Sequence, residues 1–160
     1  MAGLSISSSV STSVSVSVQH NDFSVADEYT ALSQNPACGA VVTFSGLVRE
    51  LADTQLHAMT LEHYPGMTER ALENIAQQAL ERWQLGTVRI IHRVGKLTPN
   101  EQIVFVGIAS AHRNAAFAAA QFIMDYLKNQ APLWKKEHTT EGEYWVEAKE
   151  SDQAAVKRWL

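Results

Sequence analysis

The sequence predicts a single-domain α+β fold with a mostly antiparallel sheet. Segments with alternating or β-branched apolar residues outnumber the helical segments, and short turns typical of hairpins join several of them. Two longer helical patterns interrupt these segments. With 160 residues, of which 46% are hydrophobic, the chain is long enough for one domain with a substantial core.

The N-terminal part of the chain is serine-rich. We expect residues 1–11 to be disordered, so that the folded domain spans residues 12–160. Serine and valine alternate from Ser11 to Val18, a period typical of a half-buried strand. Ser24 is placed to cap a short helix over residues 25–34, which Asn35 and Pro36 end.

Two strands are predicted next. Residues 40–48 (AVVTFSGLV) are mostly apolar and β-branched, which indicates a buried strand that delivers Arg49 to a loop. The polar segment 50–55 is expected to be mobile. Residues 57–64 form the second strand, and a turn at Pro65-Gly66 follows it.

The middle of the chain predicts a helix and two more strands. Residues 67–83 carry an apolar stripe opposite their charges, which is typical of an amphipathic helix packed on a sheet. Gly86 is placed to cap the C-terminal end of this helix. Residues 87–94 and 102–109 are β-rich, and the turn residues of GKLTPNE join them.

The C-terminal third is organised around a predicted helix from Asn114 to Lys128. Its small, apolar and aromatic residues lie on nearly every face, which indicates a buried, central helix, and Pro132 prevents its continuation. Residues 134–139 and 144–148 predict a hairpin. Ser151 is placed to cap a last short helix.

Charge is unevenly distributed. The formal net charge is −4, which does not favour nucleic acid as a partner, yet residues 112–136 are locally basic. A compact basic site on an acidic protein predicts a small anionic ligand. Alternatively, Lys128 and Lys135 only complement the carbonyl end of the preceding helix.

Several classes of site are not indicated. The single cysteine, Cys38, excludes a disulfide within the chain and is interpreted as a small buried hydrophobic residue. The six histidines form no HxH or HxxxH pair, and we expect His63 and His92 to be packed or hydrogen-bonded in strands. No apolar run has the length of a membrane span and no secretory signal is recognised, so a cytoplasmic location is expected.

Seven motifs carry a resemblance to a known family. They are, in order, FSGLVRE, TLEHYPGMTE, IIHRVGKL, VFVGIASAHR, AAQFIMDYLK, APLWKKE and WVEAKESD. Together they closely resemble the large, catalytic subunit of molybdopterin synthase over residues 17–159. The resemblance implies an α/β hammerhead-type fold and a homodimer of large subunits within a heterotetramer.

The resemblance also implies an activity, that of a sulfurtransferase of molybdenum cofactor biosynthesis. A small ubiquitin-like sulfur-carrier subunit inserts its C-terminal Gly-Gly, as a thiocarboxylate, into a pocket of the large subunit. Two sulfurs are transferred in turn to cyclic pyranopterin monophosphate, or precursor Z, to form the dithiolene of molybdopterin. No cofactor or metal is implied for the chain itself, because metal is inserted later on other proteins.

Site residues follow from their positions in the motifs. The resemblance assigns Lys128 and Lys135 as the catalytic residues. It implies substrate binding by Arg49, His112, Arg113, Met124, Lys128, Lys135 and Lys149, with Phe44 and Pro132 in the pocket wall. Many members have a basic residue at the position of Leu47 and arginine at that of Lys149. Lysine keeps the charge there but loses the bidentate geometry.

Two other functions are compatible with the same residues. One is a binding protein for an anionic pterin or a ubiquitin-like partner that performs no chemistry. The other is an unrelated phosphate-ester enzyme that uses His112 as its base and needs no protein partner.

Overall fold

The computed structural model describes residues 12–50, 55–147 and 149–160. The predicted disorder of residues 1–11 and most of the predicted mobile segment lie outside these ranges. The strands are β1 Ser13–Gln19, β2 Ala40–Leu47, β3 Leu56–His63, β4 Leu85–Arg93, β5 Gly95–Leu97, β6 Gln102–Ser110, β7 Leu133–Thr139 and β8 Gly142–Trp145. The helices are α1 Val25–Leu32, α2 Met67–Arg82, α3 Arg113–Gln130 and α4 Glu150–Ala155, followed by a 3₁₀ turn, Val156–Trp159.

The strands form two four-stranded sheets. The first has the order β1-β4-β6-β2 and the second has the order β5-β3-β7-β8. Among the described strand pairs, β1 and β4 are parallel and the others are antiparallel. The predicted α+β fold with a mostly antiparallel arrangement is therefore confirmed. No helix in the described part of the chain is long and apolar enough to cross a membrane.

Helices cover both faces of the first sheet. The main core lies between this sheet and helices α2 and α3, and includes Leu72, Ile90, Val106 and Ile123. On the opposite face, α1 packs through Leu32 in a smaller cluster. The predicted cap of α1 is confirmed, because the Ser24 hydroxyl accepts a 3.2 Å hydrogen bond from the Asp27 amide.

The direction of α3 places its last turn at one end of the first sheet. Strand β6 ends at Ser110, which pairs with Ala40 at the start of β2. Helix α3 then returns over β6 and β2, so its C-terminal end lies where β2 ends and β6 begins. Strand β4 ends there as well, since His92 pairs with Val104.

Two predictions of burial are wrong. Among the described strands, β2 lies at the edge and has β6 as its one neighbour, so Thr43 to Ser45 are exposed and the Phe44 side chain is 41% exposed. Helix α3 covers one face of a sheet and is not surrounded on all sides. Its outer stripe includes Phe117, which is 63% exposed, and Lys128.

Two predicted caps are also wrong. Helix α2 ends at Arg82 with Trp83 as its C-cap, and Gly86 lies within β4, where an added Cβ atom would collide with the Cys38 sulfur. This glycine is therefore needed for close packing and not for a left-handed turn. Ser151 lies inside α4, whose N-cap is Lys149, because the Lys149 carbonyl already accepts the first helical hydrogen bonds.

Candidate functional site

Two lysines meet where α3 is followed by β7. Lys128 lies in the last turn of α3, and the helix ends when Ala131 adopts an extended conformation. Strand β7 starts directly after Pro132, whose carbonyl accepts a 3.0 Å hydrogen bond from the Thr68 hydroxyl of α2. The chain thus reverses within a few residues and brings Lys135 back to Lys128.

The environment of Lys135 favours its neutral form. Burial lowers the pKa of Lys135 from its ordinary value of 10.5 to about 8, and the neighbouring Lys128 contributes through its charge and a hydrogen bond. The charge of Lys149 acts in the same direction, whereas the Asp152 carboxylate opposes it. An ammonium group has no acceptor, so a hydrogen bond between the two amino groups requires one of them to be neutral. As the pH rises through about 8, Lys135 becomes neutral and can exchange a proton with Lys128.

A buried histidine lies close to the lysine pair. His92 is 3% exposed, and its Nδ1 lies 2.8 Å from the carbonyl oxygen of Arg93. A carbonyl only accepts, so Nδ1 carries the hydrogen and Nε2 has a free lone pair. Burial lowers the pKa of His92 to about 4, and the charges of Lys135 and Lys128 act in the same direction, whereas the hydrogen bond to the Arg93 carbonyl opposes this shift. The prediction of a packed, hydrogen-bonded His92 is confirmed.

The C-terminal segment, residues 149–160, completes this cluster. Lys149 precedes α4 and lies near enough to Lys135 to affect its pKa, as does Asp152 in the first turn of α4. The Asn129 side chain, next to Lys128, donates a hydrogen bond to the backbone carbonyl of Asp152. Lys149 was expected at the site from the sequence. Asp152 lies in the same motif, WVEAKESD, but no role was expected for it, because the sequence does not show that its carboxylate lies near Lys135.

Three further residues were expected at the site, and two of them, Met124 and Arg49, lie at the same end of the first sheet. Met124 is half-buried one turn before Lys128 on the same face of α3. Arg49 is exposed and directly follows Val48, whose amide donates a 2.9 Å hydrogen bond to the Glu101 carbonyl just before β6. Phe44 lies on the edge strand with an exposed ring.

The His112–Arg113 pair lies elsewhere in the same chain. His112 is the N-cap of α3 and Arg113 is its first residue, and both are exposed. Arg113 and Lys128 are fifteen residues apart on this helix, which corresponds to about 22 Å. One copy of the chain therefore does not bring this pair to the lysines. The pair and Lys128 belong to separate sequence motifs, VFVGIASAHR and AAQFIMDYLK, which do not show this distance.

Comparisons with known proteins identify relatives of the chain. The model of the MoaE protein family matches residues 18–130. A molybdopterin synthase catalytic subunit from Escherichia coli (strain K12) is 60% identical over 139 residues, which cover 86% of this chain and 92% of the relative. A second molybdopterin synthase catalytic subunit, from Vibrio cholerae serotype O1, is 57% identical over 145 residues, which cover 90% of this chain and 97% of the relative.

Two solved structures resemble this chain in both fold and sequence. A molybdopterin biosynthesis MoaE protein from Burkholderia ambifaria matches with a TM-score of 0.79 and 50% identity, over 92% of this chain and 98% of that one. The crystal structure of a molybdopterin synthase from Staphylococcus aureus matches with a TM-score of 0.76 and 29% identity, over 81% of this chain and 95% of that one. By its match to the family model and its identity with these relatives, the chain belongs to the MoaE protein family.

Proposed function

We propose that this chain is the catalytic subunit of a molybdopterin synthase. It transfers sulfur from the C-terminal thiocarboxylate of a small ubiquitin-like subunit to cyclic pyranopterin monophosphate, forming the molybdopterin dithiolene. The observation that carries this proposal is the adjacent pair Lys128 and Lys135, in which the pKa of Lys135 is lowered to about 8. The sequence identity with molybdopterin synthase catalytic subunits supports it. A cytoplasmic location is part of the proposal.

The charges of the site suit this reaction. A thiocarboxylate and a phosphate-bearing pterin are both anions, so they repel one another as they approach. Fixed cations in a partly buried site offset that repulsion, and they act more strongly there than in bulk water. Lys128, Lys135 and Lys149 supply three such cations within one cluster.

The two catalytic lysines have different surroundings and, in this proposal, different roles. Lys128 is exposed at the mouth of the site and contacts the substrate, where it acts as general acid and base during attack by the thiocarboxylate sulfur. Lys135 is more buried and exchanges a proton with Lys128. Lys135 also orients the substrate or stabilises the departing oxygen. Met124, Phe44 and Pro132 wall the pocket.

The substrate phosphate requires additional cations. Arginine binds phosphate well because its planar group can donate two parallel hydrogen bonds. We assign this role to Arg49, which lies at the same end of the first sheet as the lysines. We assign it also to Arg113, at the N-terminus of α3, where free amide groups favour an anion. We assign His112, next to Arg113, to substrate binding as well.

A second copy of the chain resolves the separation of Arg113 from the lysines. In the proposed homodimer, the His112–Arg113 pair of one copy faces the lysine pair of the other. The exposed edge strand β2 and the exposed apolar side chains Phe44, Leu47 and Phe117 support such an association. Each homodimer then carries two sites and binds two small subunits as a heterotetramer.

The decisive experiment is single-turnover conversion of cyclic pyranopterin monophosphate by the chain preloaded with thiocarboxylated small subunit. We expect sulfur to appear in the pterin product and the small subunit to return as a carboxylate. A complex that forms but leaves the substrate without sulfur would instead show a binding protein. Turnover of the phosphate ester without any small subunit would instead indicate an unrelated phosphate-ester enzyme that uses His112 as its base.

A further inference from the structure

The C-terminal segment of the chain is fixed against α2 and α3 by an aromatic cluster. The ring of Trp159 meets the rings of Trp83 and Phe122 edge to face, with centroid distances of 5.7 Å and 5.4 Å. The Arg82 guanidinium lies 5.0 Å from the centroid of the Phe122 ring and donates a hydrogen bond to the Trp159 carbonyl. These contacts anchor the last turn of the chain.

A buried carboxylate completes the anchor. Asp125 of α3 is 7% exposed, and its Oδ2 accepts a 2.7 Å hydrogen bond from the indole Nε1 of Trp159. Its Oδ1 accepts a 3.0 Å hydrogen bond from the Gln121 side chain, and the Arg158 guanidinium lies 3.4 Å from Oδ2. Such partners compensate the cost of burying a carboxylate. Asp125 precedes Lys128 by one helical turn, so the anchor lies next to the lysine site.

The other end of the same segment lies at the lysines. Asn129 holds the backbone carbonyl of Asp152, and the Asp152 carboxylate lies near Lys135. The charges that act on Lys135 come from Lys128 on α3 and from Lys149 and Asp152 on the C-terminal segment. The neutral, buried His92 faces the same site from β4. Among these described residues, Asp152 carries the negative charge that acts on Lys135.

We propose that Asp152 is a positioning residue for Lys135, and that the hydrogen bond between Asp125 and Trp159 holds the C-terminal segment where Asp152 can act. The Asp152 carboxylate stabilises the proton on the lysine pair, against the repulsion of Lys128 and Lys149. It thereby sets the pH at which the pair carries one proton instead of two. This inference rests on the proposed function only in its consequence for sulfur transfer.

The effect on Lys135 is measurable without substrate. Full-length protein labelled with [ε-¹³C]lysine is titrated by NMR, and the Lys135 resonance is assigned by its loss in Lys135→Arg. We expect Asp152→Asn to lower the titration midpoint of Lys135 by several tenths of a pH unit, because a nearby negative charge is lost. The matched control is Glu150→Gln, which removes a carboxylate two residues away and leaves the midpoint unchanged. An unchanged midpoint in Asp152→Asn, or an equal decrease in Glu150→Gln, would overturn the assignment of Asp152.

The anchor is tested separately. Trp159→Phe keeps an aromatic ring but removes the indole N–H that Asp125 accepts, so we expect the Lys135 midpoint to decrease as in Asp152→Asn. The control is Trp83→Phe, which perturbs the same aromatic cluster without removing the bond to Asp125. An unchanged midpoint in Trp159→Phe, in protein whose circular dichroism is native, would refute the role of the anchor.

Activity distinguishes this inference from the proposed function. In single-turnover sulfur transfer, we expect the pH dependence of the rate to shift in Asp152→Asn and Trp159→Phe in the same direction as the Lys135 midpoint. A purely structural role would lower stability and leave the pH dependence where it is. If the midpoints shift as expected but the unmodified protein transfers no sulfur, the proposed function is wrong and the assignment of Asp152 stands.

Discussion

The amino group of Lys135 lies beside that of Lys128, although one residue belongs to strand β7 and the other to the last turn of α3. Burial and this neighbour together lower the pKa of Lys135 to about 8. A lysine that releases its proton at about pH 8 is suited to proton transfer close to neutral pH. The following predictions test this pair and the residues around it.

Lys128 is expected to be essential for catalysis. Lys128→Ala should fold and bind the small subunit, yet lose about two or more orders of magnitude in single-turnover rate, because the general acid and base is gone. Lys128→Arg should be nearly as poor, since arginine keeps the charge but does not release its proton. Near-normal conversion by Lys128→Arg would show that charge alone suffices.

Lys135 is expected to destabilise the fold at neutral pH. Its pKa is about 8 in the folded protein and 10.5 ordinarily, so between these pH values the unfolded chain binds more protons and stability rises with pH. Lys135→Met should therefore be more stable than the unmodified protein at pH 7, by up to about 3 kcal/mol. This gain should shrink towards zero as the pH approaches 10.5.

Urea unfolding at several pH values measures this difference. The control is Lys136→Met, because the Lys136 amino group lies 2.9 Å from a carboxylate oxygen of the exposed Glu143, which compensates its charge. No gain is expected there. A pH-independent difference between Lys135→Met and the unmodified protein would contradict the burial of a charged Lys135.

His92 is expected to limit stability in acid. Its pKa is about 4 in the folded protein and 6.5 ordinarily, so the unfolded chain binds the extra proton between these values and stability falls as the pH decreases through this window. His92→Phe should lose stability at pH 7, because the Arg93 carbonyl loses its partner, but it should show a shallower decline below pH 6.5. The exposed His57 provides the control, since His57→Gln should keep the original slope in urea unfolding.

Arg49 and Arg113 are expected to bind the substrate phosphate. Alanine at either position should weaken binding by about 1.5 to 3 kcal/mol, the range for a charge-assisted hydrogen bond. Calorimetry with intact cyclic pyranopterin monophosphate measures this change. Unchanged affinity in both variants would remove the phosphate assignment.

Mixed dimers test whether Arg113 acts on the partner copy. If the site is shared, a dimer of Arg113→Ala and Lys128→Ala subunits contains one complete site and one doubly altered site. Equal amounts of the two variants that exchange subunits freely form mixed dimers in half of the population, and each mixed dimer has one complete site of two. About a quarter of the normal single-turnover amplitude should then return, at a substrate concentration where each variant alone shows little conversion. If Arg113 acted within its own chain, every site in the mixed dimer would be defective and no activity would return.

Cys38 is expected to have no catalytic role. It packs beside the cluster under α1, and burial raises the pKa of its thiol, which lowers its reactivity. Cys38→Ala should retain full turnover and lose about 1 kcal/mol of stability, as expected for a small, partly buried group. Loss of turnover in folded Cys38→Ala would falsify this.

The sequence predicted most of the local structure because its signals are local. Ser24 caps α1 through a bond to an amide three residues away, and the period of residues 67–82 defines the buried stripe of α2. The errors concern positions whose environment comes from distant segments. Gly86 serves close packing against Cys38, which lies 48 residues earlier in the sequence. Strand β2 is apolar, but its burial depends on how many strands pair with it.

The sequence by itself determined the family and the α+β class, because residue type and order suffice for these, and it led to the proposal of Lys128 and Lys135 as catalytic residues. Only the tertiary structure decided which charged groups meet. It placed His92 and Asp152 at the lysine pair and put Arg113 at the far end of α3. The physical reason is that pKa values and charge interactions depend on burial and on distance in space, and neither is encoded by separation along the chain.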